Sequence, residues 1–235
     1  MKWLKRLILW LMLLIVVVFS AYLNHLHGVV KDEFSKPLDA KNSTLLLAQQ
    51  PQALINMLLI VEDQSFFQHN GVDFREITRV VRDYYLHDKP MRGASTITQQ
   101  LIKNSLLTRK KTLTRKLNEA LMALLLEATF DKEMILNRYM NSVYLGQHGY
   151  YEVHGFQRAA QFYFNAKLED LPLKHLATLV ALIKGPSYYH PTKHPRRLLR
   201  RRNLVLQLYY KYKKTIKWHN AKYTKYTKYA KHTGN

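Results

Sequence analysis

The sequence predicts a mainly α-helical protein with one membrane-spanning helix at its N-terminus. Three observations predict it. Eight glycines and seven prolines in 235 residues are few, whereas apolar runs are long, and both favour helices over many short strands. Apolar residues recur at helical spacing, as in Phe74, Ile77, Val80, Val81, Tyr84 and Tyr85. Leu7 to Leu23 is a run of 17 residues without a charge, at the lower limit for crossing a bilayer. The length suits one domain plus appendages.

Residues 1–6 form a basic flank with Lys2, Lys5 and Arg6. Residues 7–25 read as an uncleaved signal anchor, with Trp3, Trp10 and Tyr22 as interface anchors. A cleaved signal peptide would end at Ala21 and place Phe19 where a small residue is wanted. The basic flank keeps the N-terminus cytoplasmic and puts the rest outside the cytoplasmic membrane, which sets nucleic acid aside as a partner.

Residues 26–44 are polar and mixed and read as a connector. A domain over 45–211 follows. Leu45 to Phe67 has helical spacing, with Pro51 tolerable in a first turn. Asp73 is placed to cap a helix to His87. Ser95 or Thr96 caps the next, to about Leu107. Helices are also predicted over Thr112 to Thr129, Lys132 to Tyr144, Gly155 to Phe164, Leu173 to Ile183 and Arg196 to Lys211. Gly146 to Gly149 reads as a break, and Gly185-Pro186 as a stop. Residues 212–235, with a repeated Lys-Tyr-Thr triplet, read as a disordered basic tail.

The formal net charge of +21 is concentrated late in the chain, and no acidic residue lies beyond Asp170. Such an end seeks polyanions: anionic lipid or an anionic wall polymer. Cysteine is absent, which removes disulfides and thiolate chemistry.

Three stretches carry candidate chemistry. Glu62 and Asp63 end an apolar run, ahead of Phe66, His69 and Gly71. On a helix they point roughly 100° apart. The pair is either a solvated helix end or an acid–base site tuned by an apolar wall. Gly93-Ala94-Ser95-Thr96-Ile97-Thr98-Gln99-Gln100 is either an ordinary cap or a helix start whose free N–H groups hold phosphate. Lys103, Arg109, Lys110, Lys111, Arg115 and Lys116 are either a solvated face or a diphosphate cradle. Lys116 and Glu119 share a helix face, as a surface pair or as groups aimed into a cleft. His69, His148 and His154 lack metal-ligand spacing, and no P-loop, dinucleotide or nucleophile-elbow motif is present.

Glu62-Asp63-x-x-Phe66-x-x-His69-x-Gly71 resembles the first signature of the family 51 glycosyltransferases, the peptidoglycan polymerase modules of class A penicillin-binding proteins and monofunctional transglycosylases. Gly93-x-Ser95-Thr96-Ile97-Thr98-Gln99-Gln100 resembles the second, and Arg115-Lys116-x-x-Glu119 the third. Ile135-Leu136-Asn137-Arg138-Tyr139-Met140-Asn141 and Lys184-Gly185-Pro186 resemble the fourth and fifth. Five signatures in order across Leu45 to Leu208 make the resemblance specific. The chain ends where a transpeptidase would begin, and no transpeptidase half is expected.

The resemblance implies a lysozyme-like helical domain beside a small membrane-proximal hydrophobic lobe, in which Tyr84, Tyr85, Leu86, Pro90 and Met91 suit contact with lipid. It implies lipid II as substrate, added to a growing β-1,4 glycan strand with release of the polyprenyl diphosphate. Glu62 matches the general base. Glu119 matches the second essential carboxylate, holding a divalent metal, Mg2+ or Mn2+, or ordering cations. Asp63, Phe66 and His69 would shape the site. Ser95, Thr96, Gln99, Gln100, Lys103, Asn104, Lys111, Arg115 and Lys116 would bind substrate. Lys111 stands where the family often has arginine, and lysine offers no planar bidentate contact. Membrane lipids and other wall-synthesis proteins, transpeptidases among them, are the implied partners. A murein hydrolase or lytic transglycosylase on the same fold, or a non-catalytic scaffold, are the competing readings. The first would not need the basic cluster, and the second would not need Glu62 and Glu119.

Overall fold

The computed structural model describes residues 2–38, 44–88, 93–108 and 112–214. Pro90, Met91, Arg109, Lys110, Lys111 and the tail from residue 215 onward lie outside the described residues.

Helix α1 (Lys2–Ser35) is long and apolar enough to cross a membrane. It continues well past the apolar run, so the expected connector is helical as far as Ser35. Leu26, Val30 and Phe34 explain the difference. Spaced four apart, they form a stripe on one helix face and are buried against α5 (Leu113–Thr129). The Tyr22 hydroxyl donates to Asn118 Oδ1 at 2.7 Å, and His27 Nε2 lies 3.1 Å from Thr129 Oγ1. Arg138 donates to the Glu33 carbonyl at 2.8 Å and stands over the Phe34 ring. The span therefore enters the domain as one continuous rod.

Helix α2 (Gln52–Glu62) starts at Pro51, the N-cap, after a short 3-10 turn over Leu47–Gln49. Leu54, Ile55, Met57, Leu58, Leu59 and Ile60 are all buried. Burial at nearly every consecutive position means that α2 is covered on most sides, by α8 (Leu173–Ile183) and α9 (Pro195–Tyr212) among others. Each such side chain contributes about 1.5–3 kcal/mol. The core pins the end of α2, where the first signature begins.

Helix α3 (Phe74–His87) is capped by Asp73, whose side chain accepts the Glu76 N–H at 2.9 Å. It ends at Asp88, which is left-handed with φ 46°. None of its residues is buried. Phe74, Ile77, Val81, Tyr84, Tyr85 and Leu86 leave an uncovered apolar stripe, with Arg75, Arg79 and Arg82 alongside. This pairing of an apolar stripe with arginines is the pattern of an amphipathic helix.

Helix α4 (Ile97–Leu106) packs on α5 and on α6 (Lys132–Ser142). The predicted break near Gly146 is an antiparallel hairpin, β1 (Tyr144–His148) with β2 (Tyr151–His154). Gly149 (φ 59°) supplies the left-handed turn. Helix α7 (Phe156–Phe164), α8 and α9 complete the domain, with α9 packed along α8.

Gly71 lies in a bend between α2 and α3. It has φ 89°, and a Cβ there would sit 2.4 Å from the Ala123 carbonyl oxygen of α5. Gly71→Ala adds backbone strain to a clash with backbone that cannot rotate away. The expected loss is on the order of 3 kcal/mol. A clearly lowered melting temperature of the full chain in detergent checks it, and an unchanged one refutes the close approach.

Candidate active site

Glu62 and Asp63 diverge because α2 ends between them. Glu62 is the last helical residue, and Asp63 is extended with φ −164°. Glu62 is half-buried, and its Oε2 accepts from Gln100 Nε2 at 3.0 Å. The Gln100 Oε1 in turn accepts from the fully buried Tyr139 hydroxyl at 2.9 Å. Asp63 turns inward. Its carboxylate accepts the Ile97 N–H at 2.9 Å and faces His69 Nε2 at 3.0 Å. Asp63 therefore ties α2 to the start of α4, while Glu62 keeps an outward-facing carboxylate.

That start of α4 is not an open anion site. Thr96 is the N-cap, and its Oγ1 accepts the Gln99 N–H at 3.1 Å while Gln99 Oε1 accepts the Thr96 N–H at 3.1 Å. The Thr96 hydroxyl also donates to the Gly71 carbonyl at 2.6 Å. Thr96 and Gln99 are both buried. This reciprocal cap, together with Asp63, engages the Thr96, Ile97 and Gln99 N–H groups. Thr96 and Gln99 thus serve the helix start.

Ser95, one residue earlier, does join a charged cluster. Lys116 Nζ donates to Ser95 Oγ at 2.8 Å and contacts Glu119. Arg115 reaches the other Glu119 oxygen at 3.4 Å. Glu119 is only 1% exposed, whereas the Lys116 side chain is 46% exposed. A buried carboxylate thus anchors two cations, one of which faces solvent. Arg115 Nε is buried without a hydrogen-bond partner. Glu119 thus pairs with both Lys116 and Arg115.

Behind Asp63 lies a polar network that sequence reasoning missed. Glu127 of α5 accepts from the Thr98 hydroxyl and pairs with Lys132 Nζ at 2.6 Å. His69 Nδ1 stands 4.0 Å from Glu127. Lys132 also lies over the Phe66 ring, 4.3 Å from its centroid. Phe66 is fully buried and meets Phe67 and His69 edge-on. Burial holds the Lys132 ammonium below its ordinary range, with Glu127 and then Asp63 pulling it back. A carboxylate inside the apolar run Leu121 to Phe130 was the available signal.

Residues 30–209 match the family described as Transglycosylase. The chain belongs to the Transglycosylase family. Penicillin-binding protein 1B of Haemophilus influenzae is 44% identical over 71% of this chain and 21% of its own length. Penicillin-binding protein 1B of Escherichia coli is 44% identical over 67% of this chain and 19% of its own. Penicillin-binding protein 1A of Aquifex aeolicus is 45% identical over 67% and 21%. The aligned region spans about a fifth of these relatives. The mainly α fold, with a lysozyme-like transglycosylase domain after an apolar N-terminal helix, agrees with the family.

Within this transglycosylase domain, Gln100, Lys103 and Asn104 fall on one face of α4, and Lys103 and Asn104 are exposed beyond the Glu62–Gln100 contact. Lys111 lies outside the described residues. The donor set does not fit a resident divalent metal. Glu119 already faces two cations, and no group of three ligating side chains is found among the described residues.

Proposed function

We propose that the domain is a peptidoglycan glycosyltransferase that polymerises lipid II into β-1,4 glycan strands. One observation carries this reading. A half-buried carboxylate, Glu62, is held by Gln100 of α4, and Ser95, just before the start of α4, accepts from Lys116 of the Lys116–Glu119–Arg115 cluster on α5. A base and a cation site linked through one rigid helix are what the reaction calls for.

The 4-hydroxyl of an incoming lipid II attacks C1 of the growing strand. Glu62 accepts the hydroxyl proton as the new C1–O bond forms. The bond from C1 to the diphosphate oxygen breaks, and polyprenyl diphosphate leaves with the electron pair. The α-linked donor becomes a β linkage, a single inversion. Lys116 and Arg115 neutralise the leaving group, with Lys103 and Asn104 along the exposed face of α4. Any Mg2+ or Mn2+ travels with the substrate's diphosphate and is not a fixture of the protein.

The basic flank Lys2, Lys5 and Arg6 supports a cytoplasmic N-terminus, which places the domain on the outer side of the cytoplasmic membrane. The uncovered stripe of α3 suits the lipid surface from which lipid II is drawn. The product strands are uncrosslinked, so transpeptidases are the partners that the chemistry requires.

Purified lipid II incubated with the detergent-solubilised full chain, with Mg2+ and with Mn2+, should give glycan strands. Soluble fragments from mature sacculi and no strands would instead favour the hydrolase. Neither product would favour the scaffold.

A further inference from the structure

Tyr139 lies at the end of a hydrogen-bond chain that has a direction. It is 0% exposed on α6, and its hydroxyl donates to Gln100 Oε1 at 2.9 Å. The opposite end of the same amide, Nε2, donates to Glu62 Oε2 at 3.0 Å. A primary amide accepts at one end and donates at the other. Turning it over would aim its oxygen at Glu62, which then has to be an acid, and would leave the Tyr139 O–H without its acceptor.

Nothing else in the surroundings favours the reversed chain. Burial first, then the charges of Glu62 and Asp63, push the Tyr139 phenol well above its usual range, so it remains an O–H donor. A buried hydroxyl left unpaired is costly. The charged and titratable groups facing this pair are Glu62 and Asp63 at the end of α2. Asp63 is itself engaged by His69 and lies in the field of Lys132 from α6. Gln100 from α4 carries no charge.

We infer that Tyr139 is a positioning residue for the base: it fixes the direction of Gln100, which then presents a donor to Glu62 and orients its carboxylate for proton acceptance. This inference rests on the reading of Glu62 as the base. Tyr139 never touches substrate. The face of Gln100 remains available while both ends of its amide are held.

Tyr139→Phe removes the hydroxyl and keeps the ring that fills the core. The full chain in detergent, turning over lipid II, should lose roughly tenfold in kcat, the scale of one neutral hydrogen bond, with KM held within about twofold. This split, with kcat lowered at an unchanged folded fraction and KM held, is a change that a merely structural role for the ring would not produce. A double-mutant cycle gives the second readout. In a Gln100→Leu background, removing the Tyr139 hydroxyl should have no further effect on kcat, because its route to Glu62 is gone.

Parental kcat in Tyr139→Phe would overturn the inference. Additive effects of the two substitutions would also overturn it, as would an activity loss that follows the folded fraction. Glu62→Gln, measured alongside, separates the two ideas. If that variant still makes strands, the assignment of the base fails and this inference fails with it. If it is inactive while Tyr139→Phe behaves as the parent, only the positioning role falls.

Discussion

Glu62→Gln should abolish strand formation while leaving the fold intact. The amide has the shape of the carboxylate, and its oxygen can still accept from Gln100 Nε2, the hydrogen bond that holds Glu62 among the described residues. What it cannot do is take a proton from the attacking hydroxyl. General base catalysis supplies about 10²–10⁴-fold, so kcat should fall by about 10³-fold. KM should change little, because the diphosphate contacts through Lys116 and Arg115 are untouched. The melting temperature should match the parent. Asp63→Asn makes the contrast: Asp63 is buried between His69 and the Ile97 N–H, so its loss should appear in stability as well as in turnover. Lipid II conversion and melting curves for both variants distinguish a base from a brace. If Glu62→Gln retained parental turnover, the base would have to be sought elsewhere.

Most helices were legible from apolar spacing and caps. Asp73 caps α3 as its residue type suggested, and α8 occupies the predicted span. Three features were not legible, each for a physical reason. The stripe Leu26, Val30 and Phe34 is diluted by polar neighbours, so composition over residues 26–44 hid a helix that only its partner α5 makes worthwhile. The hairpin Tyr144–His154 looks like a break because Gly146 and Gly149 sit inside it, and strand pairing is not a local property. The start of α4 admitted two readings, and the spacing of Thr96 and Gln99 is itself a capping signature. In the structure these side chains form the cap. The family resemblance assigned different roles to Glu62, Asp63 and Glu119, whereas residue types and spacing alone did not separate them. Packing makes Glu62 the outward carboxylate, Asp63 a tie between helices and Glu119 an anchor for cations.

The largest stability effect is expected at the buried pair beneath this site. Lys132→Met leaves Glu127, whose side chain is 4% exposed, without its cation, and should cost about 3–5 kcal/mol. Glu127→Gln alone strands Lys132 similarly. The double variant should recover most of the loss, because the amide introduced in place of the Glu127 carboxylate still accepts from Thr98 and no charge remains buried alone. The pH dependence has a definite sign. Burial holds the folded-state ammonium of Lys132 below its ordinary 10.5, so between that depressed value and 10.5 the unfolded chain keeps a proton that the folded chain has lost. Stability contributed by this group therefore rises with pH through that window, and the rise should vanish in Lys132→Met. Urea unfolding of the full chain in detergent, repeated across pH, measures both effects. An unchanged midpoint in Lys132→Met would mean that Glu127 finds other compensation. The pair also has a functional consequence. Glu127 and Lys132 flank His69 and Phe66, which pack behind Asp63. Losing one partner should therefore lower turnover even where the variant is fully folded, whereas the balanced double variant should retain more of it.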